Sequence, residues 1–356
     1  GRQRAAADSQ RRNASYVYRC AVSTSHRETN KGNTRRMAGA NRLFWPRHGS
    51  MQFWHRSRAK RQHPRIRTWV EVDASKVVGF MGYKVGMTHV LIRDNNPKSL
   101  TKGQNVALPV TIVECPSLKP IALRFYTVSV DGLKLVSEIF SDKLDKAFKK
   151  PKTQGKEIAD FADLRLVVHT QPKTTDFGKK KPDVFELPLN GKTNEEKLKL
   201  GKELLNKEIK IQDVFKEGQY VDVHGVTKGK GYQGTVKRFG VKIRQHKSEK
   251  TKRGVGTLGS WRPKKVSWRV AQAGKMGYHT RTEFNKWLLK MITDPKAVNP
   301  KGGFLHYGMV KNDVLRIKGS IQGPAKRAIM ITEAARPTRR KSEVAEVKFI
   351  STASKQ

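Results

Sequence analysis

Apolar residues in this chain fall mostly into short runs broken by glycine, proline or polar clusters, and few of the runs repeat with a helical period. From Val77 to Leu91 the apolar positions are punctuated by Gly79, Gly82 and Gly86 and read as two short strands. Residues 106–113, 121–130 and 164–168 read as further strands. The same signal returns at 220–224, 235–238, 304–310, 314–317 and 328–331, with Lys311-Asn312-Asp313 as a turn between two of them. Helical spacing occurs in three places. Phe140, Leu144, Ala147 and Phe148 stand at i, i+4, i+7 and i+8. Thr193-x-x-Glu196 is a capping box that opens a helix with Leu198, Leu205 and Ile209 on one face. Thr280-Arg281-Thr282-Glu283 precedes a stripe of Phe284, Trp287, Leu288, Met291 and Ile292, which reads as a helix anchoring the preceding segment to the core.

Many short strands separated by turn residues predict a closed β-barrel, formed by residues 75–119, 216–238 and 300–335. Between its parts, residues 120–215 follow a strand–helix–strand–helix order and predict an inserted α/β subdomain. The fold class expected is therefore mixed, a β-barrel plus α/β with long irregular basic extensions. Residues 239–280 lack apolar periodicity. So long an irregular stretch inside a compact domain makes sense if it projects outward and is ordered by a partner. Residues 281–299 are the expected anchoring helix and 336–356 a C-terminal tail. Residues 1–41 read as a disordered or non-native leader and 42–74 as a basic arm.

Charge sharpens this division. The chain has 74 Lys plus Arg against 30 Asp plus Glu, a formal net charge of +44 over 356 residues. Residues 1–70 hold 17 basic and 2 acidic residues, and 224–290 hold 18 and 2, whereas 71–223 hold 26 and 21. Two cationic segments thus flank a nearly balanced body. So much like charge is relieved by a polyanion. No run of about 18 apolar residues points to a membrane. Two cysteines, Cys20 and Cys115, make neither a disulfide framework nor a four-ligand zinc site, and the ten histidines are scattered. The expectation is no metal, no cofactor and no small-molecule substrate, with nucleic acid as partner.

Gly229-Lys230-Gly231-Tyr232-Gln233-Gly234 matches the GxGxxG dinucleotide pattern. That fingerprint needs a helix starting at the loop. Thr235 to Gly240 is β-branched and glycine-broken, so the loop reads instead as a turn that brings backbone close to RNA, flanked by Lys228, Lys230, Tyr232, Lys237 and Arg238. Asp222 and His224 alternate on one strand without a nucleophile nearby and read as a satisfied polar pair. Trp261 and Trp268 lie in a basic loop rich in glycine, with no core to enter. Their rings are candidates for stacking on unpaired bases, beside Lys242, Arg244, Lys252, Arg253, Arg262, Lys264 and Lys265. Tyr278, His279 and Arg281 close that segment. In the N-terminal arm the candidates are Arg47, His48, Arg56, Arg58, Lys60, Arg61, Arg65 and Arg67, interleaved with Phe44, Trp45, Phe53, Trp54 and Trp69. Irregular arms with aromatics favour RNA over DNA.

Five runs resemble the universal large-subunit ribosomal protein three family, in its archaeal type. They are Pro46 to Ser50, Gly82 to His89, His224 to Gly234, Gly277 to Glu283 and Asn299 to Gly308. The resemblance covers residues from about 42 to the end. It implies a six-stranded barrel like that of translation factors, with an inserted α/β subdomain. It implies no enzymatic activity. The implied partners are large-subunit (23S-type) rRNA near its 3′ domain and neighbouring large-subunit proteins, in the cytoplasmic ribosome, with a role in early assembly. The family's central loop reaches toward the peptidyl-transferase centre. Gly259-Ser260-Trp261-Arg262-Pro263 matches its tip, so the resemblance assigns that position to Trp261.

Overall fold

The computed structural model describes residues 57–353, except Arg67, Asp73, 96–98, 146–147, 149–154, Ala159 and 338–343. In chain order the described elements are β1 (Lys76–Val77), β2 (Gly79–Arg93), β3 (Asn105–Glu114), β4 (Lys119–Ser129), β5 (Gly132–Phe140), β6 (Asp163–His169), β7 (Val184–Asn190), α1 (Asn194–Leu205), α2 (Ile211–Val214), β8 (Tyr220–Val226), β9 (Gly229–Gln233), α3 (Thr235–Phe239), β10 (Gly274–Gly277), β11 (Thr280–Ile292), β12 (Val314–Lys318), β13 (Ala328–Glu333) and β14 (Val347–Ile350). The molecule is mostly antiparallel sheet with few helices.

Seven strands pair in the order β13-β8-β11-β12-β3-β2-β14, and β13 also pairs with β2. Six strands thus form a closed circuit of hydrogen bonds, and β14 lies alongside β2 as a seventh. On its strands Phe80, Met81, Ile112, Val113, Val223, Leu315, Ile317 and Ile331 are fully buried in the main apolar cluster. Residues 76–93 form one two-residue strand and one fifteen-residue strand rather than two short ones. The glycines that read as breaks lie inside β2. A side chain at Gly82 would come within 2.7 Å of Val113 Cγ1 and 2.8 Å of Cys115 Sγ, so this glycine marks close strand approach. Gly86 follows a register shift in the β2–β3 ladder.

Residues 119–190 form a second sheet that β1 joins from before β2, in the order β1-β7-β6-β4-β5, with α1 packed on it through Gly201 against Leu123 and Leu189. Thr193 Oγ1 accepts the Glu196 N–H at 3.3 Å, as its position before an apolar stripe predicts, while the Glu196 carboxylate accepts the Lys192 N–H at 3.0 Å. The helix stops at Leu205, and Ile209 leaves it to bridge Leu118. Both sheets contribute to one continuous apolar cluster.

Four further expected elements differ. The Phe140 to Phe148 stripe is not helical among the described residues, which exclude Ala147: Phe140 ends β5, and Leu144 and Phe148 pack with it onto Ile121, Ala122 and Val167. Residues 304–310 are a turn with a single Phe304–Gly308 bridge. Tyr307 is buried there, and its hydroxyl donates to the buried Glu114 carboxylate. Glu114 also accepts the N–H groups of Lys311 at 2.9 Å and Asn312 at 3.0 Å, which holds the expected 311–313 turn. Residues 235–239 are the short helix α3 rather than a strand.

The fourth and largest correction is the anchoring helix of 281–299, which is the thirteen-residue strand β11. Its ladder slips between Glu283 and Lys286 against β8, and between Leu288 and Lys290 against β12; Asn285 has φ of 54°. Each slip moves the apolar positions out of period two, and the resulting spacing imitates a helical face.

Candidate RNA interface

The extension grows from the ends of β8 and β11, where Val226 pairs with Thr280. Beyond that pair the chain continues as the β9–β10 ribbon. Gly277 sits at its base with φ of +76°, and a side chain there would fall 2.0 Å from the Lys228 carbonyl oxygen. Only glycine fits both conditions. Thr227 then clasps His279 twice: its N–H donates to the His279 carbonyl at 3.0 Å, and its Oγ1 accepts the His279 N–H at 3.1 Å.

The N-terminal arm docks on the same base. Ala59 N–H donates to the Tyr278 carbonyl at 2.8 Å, and His279 Nδ1 donates to the Ser57 carbonyl at 2.9 Å. Farther along, Asn190 Nδ2 donates to the Val70 carbonyl, while Ile66 and Trp69 pack against the core. Two cationic segments remote in sequence therefore share one root. Arg327 contributes to it by stacking its guanidinium 5.2 Å from the Tyr278 ring centroid, a role with no sequence signal because the pairing is so non-local.

Past the ribbon, α3 ends at Gly240 in the left-handed conformation. From there to Ala273 the described chain has no helix or strand. Its cross-links include arginine bonds to backbone carbonyls: Arg238 to Gln272 at 2.8 Å, and Arg244 to Val255 at 2.7 Å and Gly256 at 3.0 Å. The lysines Lys242, Lys252, Lys264 and Lys265 are exposed. Every residue from Trp261 to Arg269 is exposed. Trp261 is 82% exposed and Trp268 60%, with Lys264 Nζ 5.9 Å from the first ring and Arg269 Cζ 5.4 Å from the second. Each pair joins a cation to a π face, the combination that grips a base and its phosphate together.

Of the other expected contact residues, Arg58, Lys60, Arg61, Arg65, Lys228, Lys230, Tyr232, Lys237, Lys242, Lys252, Arg253, Arg262, Lys264 and Lys265 are exposed. Arg238, Arg244, Tyr278 and Arg281 are half-buried and engaged with the protein. His279 is buried and acts on the arm. Arg47, His48, Arg56 and Arg67 lie outside the described residues, as do Phe44, Trp45, Phe53, Trp54 and the 1–41 leader.

The glycine loop does have a helix after Gly234, contrary to the reading that set it apart from dinucleotide sites. However, the loop is itself strand β9, antiparallel to β10, and α3 has five residues. The parallel β-α-β unit that the fingerprint requires is not formed. His224 and Asp222 are each satisfied: the imidazole by Thr282 Oγ1 at 2.9 Å and Thr332 Oγ1 at 3.0 Å, the carboxylate by the N–H groups of Asn285 and Ala335, both at 2.8 Å.

Comparison with known proteins identifies the family. Residues 39–153 and 152–356 match the family described as Ribosomal protein L3. The large ribosomal subunit protein uL3 of Methanocaldococcus jannaschii is 45% identical over 326 residues, which cover 87% of this chain and 97% of that protein. The uL3 proteins of Methanobrevibacter smithii and Methanothermobacter thermautotrophicus are 43% and 42% identical, each over 87% of this chain and 98% of theirs. The chain therefore belongs to the ribosomal protein L3 family.

Proposed function

We propose that this chain is a structural, RNA-binding constituent of the large ribosomal subunit in the cytoplasm. In this reading it binds 23S-type rRNA near its 3′ domain, beside neighbouring large-subunit proteins, and supports early assembly. Members of the family are structural constituents and not enzymes. The six-strand circuit is read as a translation-factor-like barrel, from which the 239–280 extension reaches toward the peptidyl-transferase centre with Trp261 at its tip.

The observation that carries the reading is the stretch from Trp261 to Arg269. It holds two exposed indoles and four cations, all at the surface. Folded RNA supplies both a wall to pack against and the counter-charge. The test is crosslinking of the 239–280 segment in assembled subunits. Links to defined large-subunit rRNA nucleotides are expected; links only to protein would refute the reading. A free chaperone held by charge alone would instead bind any RNA equally and lose it on mild salt increase.

A further inference from the structure

We propose a second RNA site, remote from the extension: the cleft between β14 and the far end of β11 takes one nucleotide, with its phosphate on Arg316. The inference rests on the RNA-binding reading above and adds a location to it.

Arg316 lies in the middle of β12, paired with Lys290 on β11 and Ile112 on β3. Its chain neighbours Leu315 and Ile317 enter the core, and it is itself only 3% exposed. Its Nε and Nη1 are buried without a hydrogen-bond partner among the described residues. Glu217 is the carboxylate that acts on it electrostatically, but Glu217 Oε1 is occupied by the Met291 N–H at 2.9 Å. A buried guanidinium left in this state is costly, and an anion brought to it would relieve that cost.

Beside it opens a cleft of about 570 Å³, lined by Arg316, Lys290, Lys348, Phe349 and Asp294 among others. Lys290 and Lys348 add two exposed cations, while the single acid, Asp294, already accepts the Lys296 N–H at 3.0 Å. The space exceeds that of a lone ion and suits a nucleotide. Phe349, 55% exposed, offers a face for a base. The planar guanidinium fork matches two phosphate oxygens at once. The cleft stands at the Ile292 end of β11, and the extension rises from the Thr280 end. At the usual strand rise the two are roughly 40 Å apart along the strand, too far for one nucleotide to reach both.

The test uses the full chain. A photoreactive benzoylphenylalanine at position 349 is expected to crosslink to rRNA in assembled subunits. A crosslink to a neighbouring protein, or none, would overturn the proposal. In parallel, Arg316→Met is expected to weaken binding of the free chain to large-subunit rRNA several-fold and to reduce the log–log salt slope by about 0.7, one phosphate's share. An unchanged slope in a folded variant also overturns it. If Arg316→Met does not fold, the position-349 crosslink decides alone. Loss of crosslinks from the 239–280 segment would sink the general RNA reading instead, so the two failures are distinguishable.

Discussion

His279 Nδ1 donates a hydrogen bond to the carbonyl oxygen of Ser57 across 2.9 Å, and this bond ties the N-terminal arm to the foot of the central extension. With Ala59 bonded to the Tyr278 carbonyl, it fixes the departure points of both cationic segments relative to the same two residues. A buried imidazole holding a main-chain carbonyl positions the arm from inside the fold.

His279→Ala is therefore expected to free the arm while leaving the sheets folded. The loss of a buried hydrogen bond costs about 1–2 kcal/mol. Limited trypsin digestion of the RNA-free chain reads the effect. Cleavage after Arg58, Lys60 and Arg61 should accelerate, and an unchanged pattern would show that His279 is not the clamp.

Gly277→Ala should damage the ribbon selectively. The new methyl would collide with the Lys228 carbonyl, and the left-handed backbone adds strain of about 1–3 kcal/mol. Hydrogen exchange is expected to rise at the amides of β9 and β10 and to stay slow in β2, β3 and β12. A uniform rise across all strands would contradict a local role.

Trp261→Ala separates binding from stability. A ring so exposed contributes little to folding, so the change in stability should stay within about 0.5 kcal/mol. If the ring stacks on a base, rRNA affinity should fall by roughly 1–3 kcal/mol, or about 5- to 150-fold. Melting curves and filter binding on the same preparation measure both quantities. Normal affinity would remove Trp261 from the interface.

Acid should destabilise the fold through its histidines. Burial, the largest cause, holds the pKa of His224 below the usual imidazole value, against the opposing pull of Asp222. Burial likewise lowers His169, opposed by its bond to the Thr170 carbonyl and by Asp145. In the unfolded chain these rings take up protons near pH 6.5, whereas in the folded chain they do so only at lower pH. The unfolded state then binds more protons, so stability is complete above about pH 6.5 and is lost as pH falls through the folded values. Denaturant midpoints measured from about pH 7.5 to about pH 5 should decline, and His224→Gln should flatten part of the decline. A midpoint independent of pH over that window would refute this account.

The sequence shows its partner more plainly than its own architecture. Segmental charge and tryptophans without apolar neighbours depend on composition alone, so the exposure of the 261–269 stretch could be foreseen. The Thr193 cap was legible because capping is local. β11 was not: its two register slips and the positive φ at Asn285 are responses to two partner strands drawn from distant parts of the chain. β5 escaped notice because Leu133, Leu135 and Val136 are all exposed and lack alternation. The placement of His279 inside rather than at the surface depended on Ser57, a backbone group that no side-chain pattern reveals. Arg316 looked like one more basic residue, since nothing local announces that its strand is flanked on both sides.

The pairing of β2 with β13 and β14 has a consequence for biosynthesis. β2 leaves the exit tunnel early and meets β3 soon after, but β13 and β14 are made near the end of translation. Until they appear, the nascent chain exposes one of its longest and most apolar strands, while its charged loop is already free to meet any nucleic acid. Such late, long-range closure is slow and prone to aggregation. Chains that stop before β13 are therefore expected to aggregate more readily than the full chain.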